Sequence, residues 1–428
     1  MSKLAITGGS KLLNDNHEQM FHWPIVTEED ENAVLDVMRN GTMSQTAITK
    51  EFEKEFAEWM HVKYALGCCN GTASLTEAMW ACGVGMGDEI ICPSMTYWAS
   101  CTAALSLGAT VNFCDIKSGT LCIDADDIEH RIGPRTKAII VVHYSGHPCD
   151  MDKIMPIARK HNVKVIEDVS HAQGSLYNGK LCGALGDIAG ISMMGGKSFA
   201  VGEGGMMVTN DQKLYERCVA FGHYERTMAT RYSSGGGLQD EGLAKFAGIP
   251  LGGVKHRMNQ TCSAMGRVQL KHYPARIKEI QKAMNYFWDN LEGLPGIRPH
   301  RTAKNSDSTM GGWYNPRGLF VSGELDGLSC KRFCEALSSE GFTTAPGANN
   351  PLHLHPYFHE ADIFNTGKAT AVSFGQRDVR QGKGTLPVSE NIGEIAFGVP
   401  WFKHYDKNII DQYVAVFRKV IENYRELL

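Results

Sequence analysis

The chain has 428 residues, 43% of them hydrophobic and 21% charged, with a net charge of −4. That length exceeds one simple core and predicts two closely packed domains, while the near-balanced charge gives no general pull toward nucleic acid or an anionic membrane. No apolar run approaches the ~18 residues of a spanning helix, and the first residues lack the apolar stretch of a secretion signal.

Residues 1–25 read as an N-terminal arm containing Phe21, Trp23 and Pro24. Thr27 then caps a helix whose first turn is acidic, Glu28-Glu29-Asp30. A second helix is predicted from Thr49 to Met60, with Phe52, Phe56 and Trp59 on one face. Short apolar strands then alternate with helices. Strands are predicted at Tyr64–Cys68, Glu89–Cys92, Val111–Cys114, Ala138–Val142, Val163–Ile166, Ile188–Met193 and Met206–Thr209. Helices are predicted at Thr72–Cys82 and Trp98–Leu107. This alternation predicts an α/β fold with a mostly parallel sheet, whose ligands sit at the carboxyl ends of the strands. Residues 225–255, including Ser233-Ser234-Gly235-Gly236-Gly237, read as an irregular glycine-rich loop. A long helix follows, from about Asn259 to Phe287. The segments Gly318–Val321 and Ser329–Glu340 suggest a strand and a helix of a smaller domain. The expected division is an arm over 1–25, a large domain over 26–289 and a small C-terminal domain over 290–428. The 13 cysteines include no CxxC pair and predict reduced thiols, packed as small hydrophobes in a cytoplasmic protein.

Four segments carry candidate chemistry. In Asn70-Gly71-Thr72-Ala73-Ser74-Leu75 a strand turns into a helix whose free N–H groups suit a phosphate, although a plain capped helix has the same pattern. In Pro93-Ser94-Met95-Thr96-Tyr97-Trp98, Tyr97 could stack on a flat ring or lie in the core, and Trp98 reads as core. In Glu167-Asp168-Val169-Ser170-His171, Asp168 closes a strand and His171 follows it. The fourth segment runs from Ser192 through Gly195-Gly196-Lys197 to Gly205. A lone lysine is usually a solvated surface charge, but the apolar, glycine-rich frame of Lys197 argues otherwise. Lys197 paired with a strand-end Asp168 is the combination that pyridoxal phosphate chemistry needs. The lysine holds the aldehyde as a Schiff base, and the aspartate keeps the pyridine nitrogen protonated. Gly83-Val84-Gly85-Met86-Gly87 follows a helix and not a strand, which weakens a dinucleotide reading. His353, His355 and His359 lie in a proline-flanked loop, where a pocket or structural role is favoured over zinc.

Together, Asn-Gly-Thr-Ala-Ser-Leu at 70–75, Gly-Asp-Glu-Ile-Ile-Cys-Pro-Ser-Met-Thr at 87–96, Glu-Asp-Val-Ser-His-Ala-Gln-Gly at 167–174 and Gly-Lys-Ser-Phe-Ala-Val-Gly-Glu-Gly-Gly at 196–205 resemble the DegT/StrS-type sugar aminotransferases. The resemblance implies pyridoxal-phosphate fold type I, with a large domain on a mostly parallel mixed sheet and a smaller α/β domain. It implies roles residue by residue. Lys197 would bond the cofactor, Asp168 would meet its ring nitrogen and His171 its ring hydroxyl. Tyr97 would stack on the ring, and Thr72, Ala73 and Ser192 would hold the phosphate. It also implies a homodimer with shared active sites. Two departures stand out. Met194-Gly195-Gly196 precedes the lysine in place of the family's commoner tripeptides. Lys255 stands where many members place an asparagine that reaches the partner subunit's phosphate. The expected reaction moves an amino group from glutamate or glutamine to a keto-sugar or keto-cyclitol, such as a nucleotide-linked keto-sugar or an inosose. Relatives with histidine in place of the lysine resemble sugar dehydratases. A non-catalytic cofactor-binding regulator of the same fold is the rival reading, and a nicotinamide oxidoreductase a distant third.

Overall fold

The strand-rich half of the chain builds a seven-stranded sheet. In chain order its strands and their neighbours are β1 (Tyr64–Cys68), β2 (Glu89–Pro93), β3 (Thr110–Cys114), β4 (Thr136–Val142), β5 (Lys164–Asp168), β6 (Leu176–Tyr177), β7 (Lys180–Leu181), β8 (Ile188–Ser192) and β9 (Gly205–Thr209). The sheet order is β1-β9-β8-β5-β4-β2-β3, and β6 and β7 form a separate hairpin. Pairings among β2, β3, β4, β5 and β8 are parallel, whereas β9 runs antiparallel to both β1 and β8. Strands β2 and β3 are buried at every position, as expected where helices cover both faces. The computed structural model describes residues 3–231 and 235–428. The Ser233-Ser234 part of the expected glycine-rich loop lies outside them.

Local rules account for the helices that frame the sheet. Helix α1 (Glu28–Arg39) starts at a reciprocal capping box between Thr27 and Asp30. Helix α2 covers Ala47–Met60 and buries Phe52 and Phe56. Helix α3 (Gly71–Ala81) follows β1 directly, and the Asn70 side chain caps it by accepting the Ala73 amide at 2.8 Å. The long helix spans Gln260–Asp289, close to its expected limits. One expected helix is broken. Residues 98–107 form a 3₁₀ turn at Trp98–Ser100 and a short helix at Thr102–Ser106, separated by a non-helical Cys101. Within that turn the Ser100 hydroxyl is drawn toward Asp168, a partner that no local pattern reveals. The 225–255 stretch is also less irregular than expected, with short helices at Tyr224–Thr227 and Glu241–Ala244.

A three-stranded sheet, β10 (Ile297–Pro299), β11 (Arg317–Phe320) and β12 (Ala396–Gly398), lies against helix Cys330–Ser339 and helix Lys407–Glu422. Its core of Phe320, Phe333, Phe397 and Phe417 also receives Leu4, Leu13 and Met20 from the N-terminal arm. The arm is fixed there by Lys419, whose Nζ donates to Ser10 O at 2.8 Å and to the Glu340 carboxylate. No helix among the described residues is long and apolar enough to cross a membrane. The 13 cysteines are all unpaired, and ten of them are buried.

Candidate active site

A cavity of about 340 Å³ opens at the carboxyl ends of the sheet, where Cys68, Asp168 and Ser192 end β1, β5 and β8. The ladder places Asp168 opposite Gly190 and Ser192 opposite Gly205, which brings these segments to one edge of the cavity. Thr72, Tyr97, Asp168, His171, Ser192 and Lys197 all line it. The structure therefore gathers six of the eight expected residues in one place. The other two do not line it, although Ala73 directly follows Thr72 in the first turn of α3. The Ala73 amide is already used by the Asn70 cap, and Lys255 is exposed and outside the cavity.

Lys197 is 8% exposed, and its Nζ lies 4.0 Å from the centre of the Tyr314 ring. Its backbone is held from both sides. The Lys197 amide donates to Met194 O at 2.8 Å, and Trp23 Nε1 donates to Lys197 O at 2.9 Å. Burial lowers the amine to about 8, with Asp168 opposing the shift. An amine so poised carries a substantial neutral fraction near neutral pH, as nucleophilic attack on an aldehyde requires.

Asp168 is 5% exposed and is held by two donors: Ser100 Oγ at 2.7 Å and the Ser170 amide at 3.0 Å. Ser100 in turn bonds Thr96 at 2.8 Å. His171 accepts from the Ser145 amide at 3.4 Å and lies against Tyr314 and Tyr144, with ring centres 4.6 and 5.3 Å away. Burial, then the charges of Lys197 and Arg317, holds His171 well below the usual imidazole range, so it is neutral. Ser192 is fixed through its backbone, donating to Ser170 Oγ and accepting from Gln173 Nε2.

Gly71 packs against Ser192 so closely that an added Cβ would meet the Ser192 Cβ at 2.6 Å. Only glycine permits this approach, and it brings the N-terminus of α3 and the Ser192 hydroxyl to the same end of the cavity. Helix N–H groups, a hydroxyl, a buried carboxylate and, among the described residues, a buried lysine outside ion-pair distance of any carboxylate match the chemistry of a phosphorylated pyridine aldehyde.

Tyr97 and Trp98 stand at the cavity mouth, 50% and 46% exposed, with ring centres 4.9 Å apart. Trp98 is thus not a core residue: the turn that carries it projects from the end of β2 toward solvent. In the histidine loop, His353 is structural. His353 is fully buried, with Nδ1 on Ser94 Oγ at 2.7 Å and Nε2 on Glu390 at 3.0 Å, and both nitrogens are thereby occupied. Ser100, Trp23, Tyr314 and Asn349 were not legible as site residues. Only Ser100, close to Tyr97 in sequence, carried any signal. A larger hollow of about 780 Å³ lies between α1, α2 and helix Gln260–Asp289, away from these groups.

A lysine and a carboxylate facing one cavity at the strand ends of a doubly covered α/β sheet define a pyridoxal-phosphate enzyme of the aminotransferase type. The sequence profile of the DegT/DnrJ/EryC1/StrS aminotransferase family matches residues 24–373, and the chain belongs to that family. It is a pyridoxal-phosphate-dependent sugar aminotransferase. It is 38% identical to GDP-perosamine synthase of Escherichia coli O157:H7 over 60% of this chain and 66% of that protein. It is 29% identical to L-glutamine:2-deoxy-scyllo-inosose aminotransferase of Streptomyces kanamyceticus, over 79% of each chain. An aminotransferase from Psychrobacter cryohalolentis has the same fold, with a TM-score of 0.79 and 29% identity over 94% of this chain and 99% of that one.

Proposed function

We propose that the enzyme moves an amino group from glutamate or glutamine to a keto-sugar or keto-cyclitol, the acceptor being a nucleotide-linked keto-sugar or an inosose. The observation that carries this reading is the joint exposure of Lys197 and Asp168 to one cavity whose far end is the N-terminus of α3. The relatives named above, one a GDP-perosamine synthase and one an inosose aminotransferase, support both acceptor classes.

In this reading Thr72, Ser192 and the first turn of α3 hold the cofactor phosphate. Tyr97 would cover the ring, His171 would meet the ring hydroxyl, and Asp168 would keep the ring nitrogen protonated. When bound, pyridoxal phosphate supplies an aldehyde that takes up the donor nitrogen and a ring that absorbs the electron pair left by the donor's α-proton. Lys197 first anchors the cofactor. Its amine, once freed by the donor amine, would carry the proton taken from the donor α-carbon. Ser100 and the Ser170 amide keep Asp168 aimed at the ring while the covalent anchor is broken. Water would then free the keto acid while its nitrogen stays with the cofactor, and condensation with the keto acceptor would return that water as the same proton moves run in reverse.

The active unit is proposed to be a homodimer in the cytoplasm. Met228, Phe246, Ile249, Leu251 and Val254 are all exposed within one segment that leads into Lys255. Such an apolar run on the surface suits a second copy, which would carry Lys255 toward the neighbouring phosphate site. A screen of nucleotide-linked keto-sugars and inososes with each donor, followed by keto acid release, tests the reading. Sedimentation tests the dimer. Turnover with no such acceptor under any donor would overturn the proposed substrate class.

A further inference from the structure

The proton that Lys197 takes from the donor α-carbon turns a neutral amine into an ammonium ion. That charge appears in a buried place where, among the described residues, no carboxylate lies within ion-pair distance. The Tyr314 ring lies against the amine, with its centre 4.0 Å from Lys197 Nζ, and it lines the cavity. The face of an aromatic ring attracts a cation, the more strongly where water is excluded. Among the described residues the Tyr314 hydroxyl makes no hydrogen bond, so the fold engages the ring and not the hydroxyl.

A strained turn holds the ring in place. Between Met310 and Pro316, Gly311, Trp313 and Asn315 all have left-handed backbones, with φ of 52°, 52° and 49°. That conformation is costly for a bulky residue such as tryptophan and persists only where the surroundings enforce it. Here they do. Gly312 O accepts from Trp401 Nε1 at 3.0 Å, the Gly312 amide donates to Gln173 O at 3.3 Å, and Asn315 O accepts from Ser145 Oγ at 3.0 Å. Gly312 also packs so tightly on Ser198, the residue after Lys197, that an added Cβ would collide with it. The Trp401 ring stands edge-on to Tyr314, at 87° and 5.5 Å between centres, and the His171 ring lies 4.6 Å away. Turn and lysine are thus fixed to one another, and the ring cannot leave the amine without breaking these contacts.

We propose that Tyr314 is a further catalytic residue, whose ring face stabilises the ammonium ion formed on Lys197 as the donor Cα–H bond breaks. This rests on the functional reading above. The proton passes to Lys197 Nζ, and the electron pair of the broken bond passes into the cofactor ring. The Tyr314 ring favours the charged product of that step over the neutral amine that begins it, which is the differential binding that speeds a reaction. The same contact keeps the freed amine beside the reacting carbon.

Leucine and phenylalanine at position 314 separate the ring from its bulk and from its hydroxyl. In rapid-mixing measurements of the donor half-reaction, Tyr314→Phe should stay within about twofold of wild type, whereas Tyr314→Leu should be slower by roughly 3- to 30-fold, the worth of a buried cation–ring contact. The isotope effect with α-deuterated glutamate should rise in Tyr314→Leu, because proton transfer becomes the slower step. Phenylalanines carrying successive ring fluorines at position 314 drain charge from the ring face at nearly constant shape, and should slow the reaction in steps. A second readout needs no turnover. The midpoint for cofactor uptake by the apo-protein, at about pH 8 in the wild type, should fall by about half to one unit in Tyr314→Leu and hold in Tyr314→Phe. Leucine keeps the amine buried but withdraws the ring that favours its charged form. The titratable groups that line the cavity around the amine, Asp168, Glu203, His171 and Tyr97, are the same in every variant. A Tyr314→Leu protein with the wild-type rate and midpoint overturns the proposal. So does a Tyr314→Phe protein as slow as Tyr314→Leu, which would assign the role to the hydroxyl. If Tyr314→Leu does not fold, the fluorinated series carries the same comparison. Failure of the wild type to bond the cofactor at Lys197, mapped by borohydride trapping and peptide mass, would instead sink the functional reading itself.

Discussion

Helix α3 serves two sets of buried charges, and they are built in opposite ways. At its N-terminus, Lys197 and Asp168 face a cavity, and among the described residues no carboxylate lies within ion-pair distance of Lys197. Further along, Glu77 sits in a closed network. Its Oε1 accepts from His223 Nε2 and His256 Nδ1, each at 2.8 Å, and Cys68 Sγ lies 3.4 Å from its other oxygen. Glu225 flanks His223 at 3.6 Å, and Arg226 pairs with Glu53, which also accepts the Gly67 amide. The charges alternate in sign from Glu53 through Arg226, Glu225 and His223 to Glu77. Burial alone would lower His223, but Glu77 and Glu225 overcome it and hold the imidazole up at about 9. Cys68, Glu77 and His223 bring three metal-type ligand atoms within 4.8 Å of one another, and the hydrogen bonds of Glu77 to its two neighbours account for that closeness. The lesson is that buried charge closed upon itself fixes structure. Buried charge left open to a cavity, with a lysine pushed down to about 8, is available for chemistry.

Breaking each set separately tests the contrast. Lys197→Ala should lose the visible Schiff-base absorbance and lower keto acid release by ~10⁴-fold, since anchor and proton carrier go together. Wild-type turnover in that variant would erase the distinction between the two regions. Glu77→Ala removes the largest counter-charge from the buried, protonated His223 and should cost about 3–5 kcal/mol of stability by denaturant titration. Its turnover per folded molecule should stay within about threefold of wild type if the network is structural. Asp168→Asn keeps the shape but removes the charge that holds the ring nitrogen protonated, and should slow the donor half-reaction by roughly 10²-fold in rapid-mixing measurements.

The pH dependence of the two regions should also differ. His223 has a folded value of about 9, above the unfolded value of 6.5. Its contribution is therefore full below pH 6.5 and disappears as pH rises through about 9, a loss of up to ~3 kcal/mol that a His223→Gln protein should not show. Lys197 moves the other way in function. Uptake of cofactor by the apo-protein needs the neutral amine and should accelerate as pH rises toward about 8, then level off. A flat uptake rate from pH 6 to 9 would show that the Lys197 amine is not the group that titrates.

Much of the sheet and half of the site were legible because both are local. Ala138 to Val142 is a continuous apolar run, and a strand reads that way wherever it is buried on both faces. Asn70-Gly71-Thr72 reads as a cap because its hydrogen bonds close within three residues. Ser100 was misread as mid-helix because its partner, Asp168, arrives from another strand. Trp98 was misread as core because its aromatic character says nothing of which way a turn projects.

By itself, the sequence determined the alternation of strands and helices, the position of Lys197 in a glycine-rich turn, the carboxylate at the end of β5 and the family to which these belong. All follow from residues near one another along the chain, where steric and hydrogen-bonding rules act directly. Only the tertiary structure decided that Trp23 braces Lys197, that Tyr314 covers its amine and that the N-terminal arm shares the C-terminal core. Those contacts join segments far apart in sequence, and long-range packing chose them from many pairings that the local pattern allows equally.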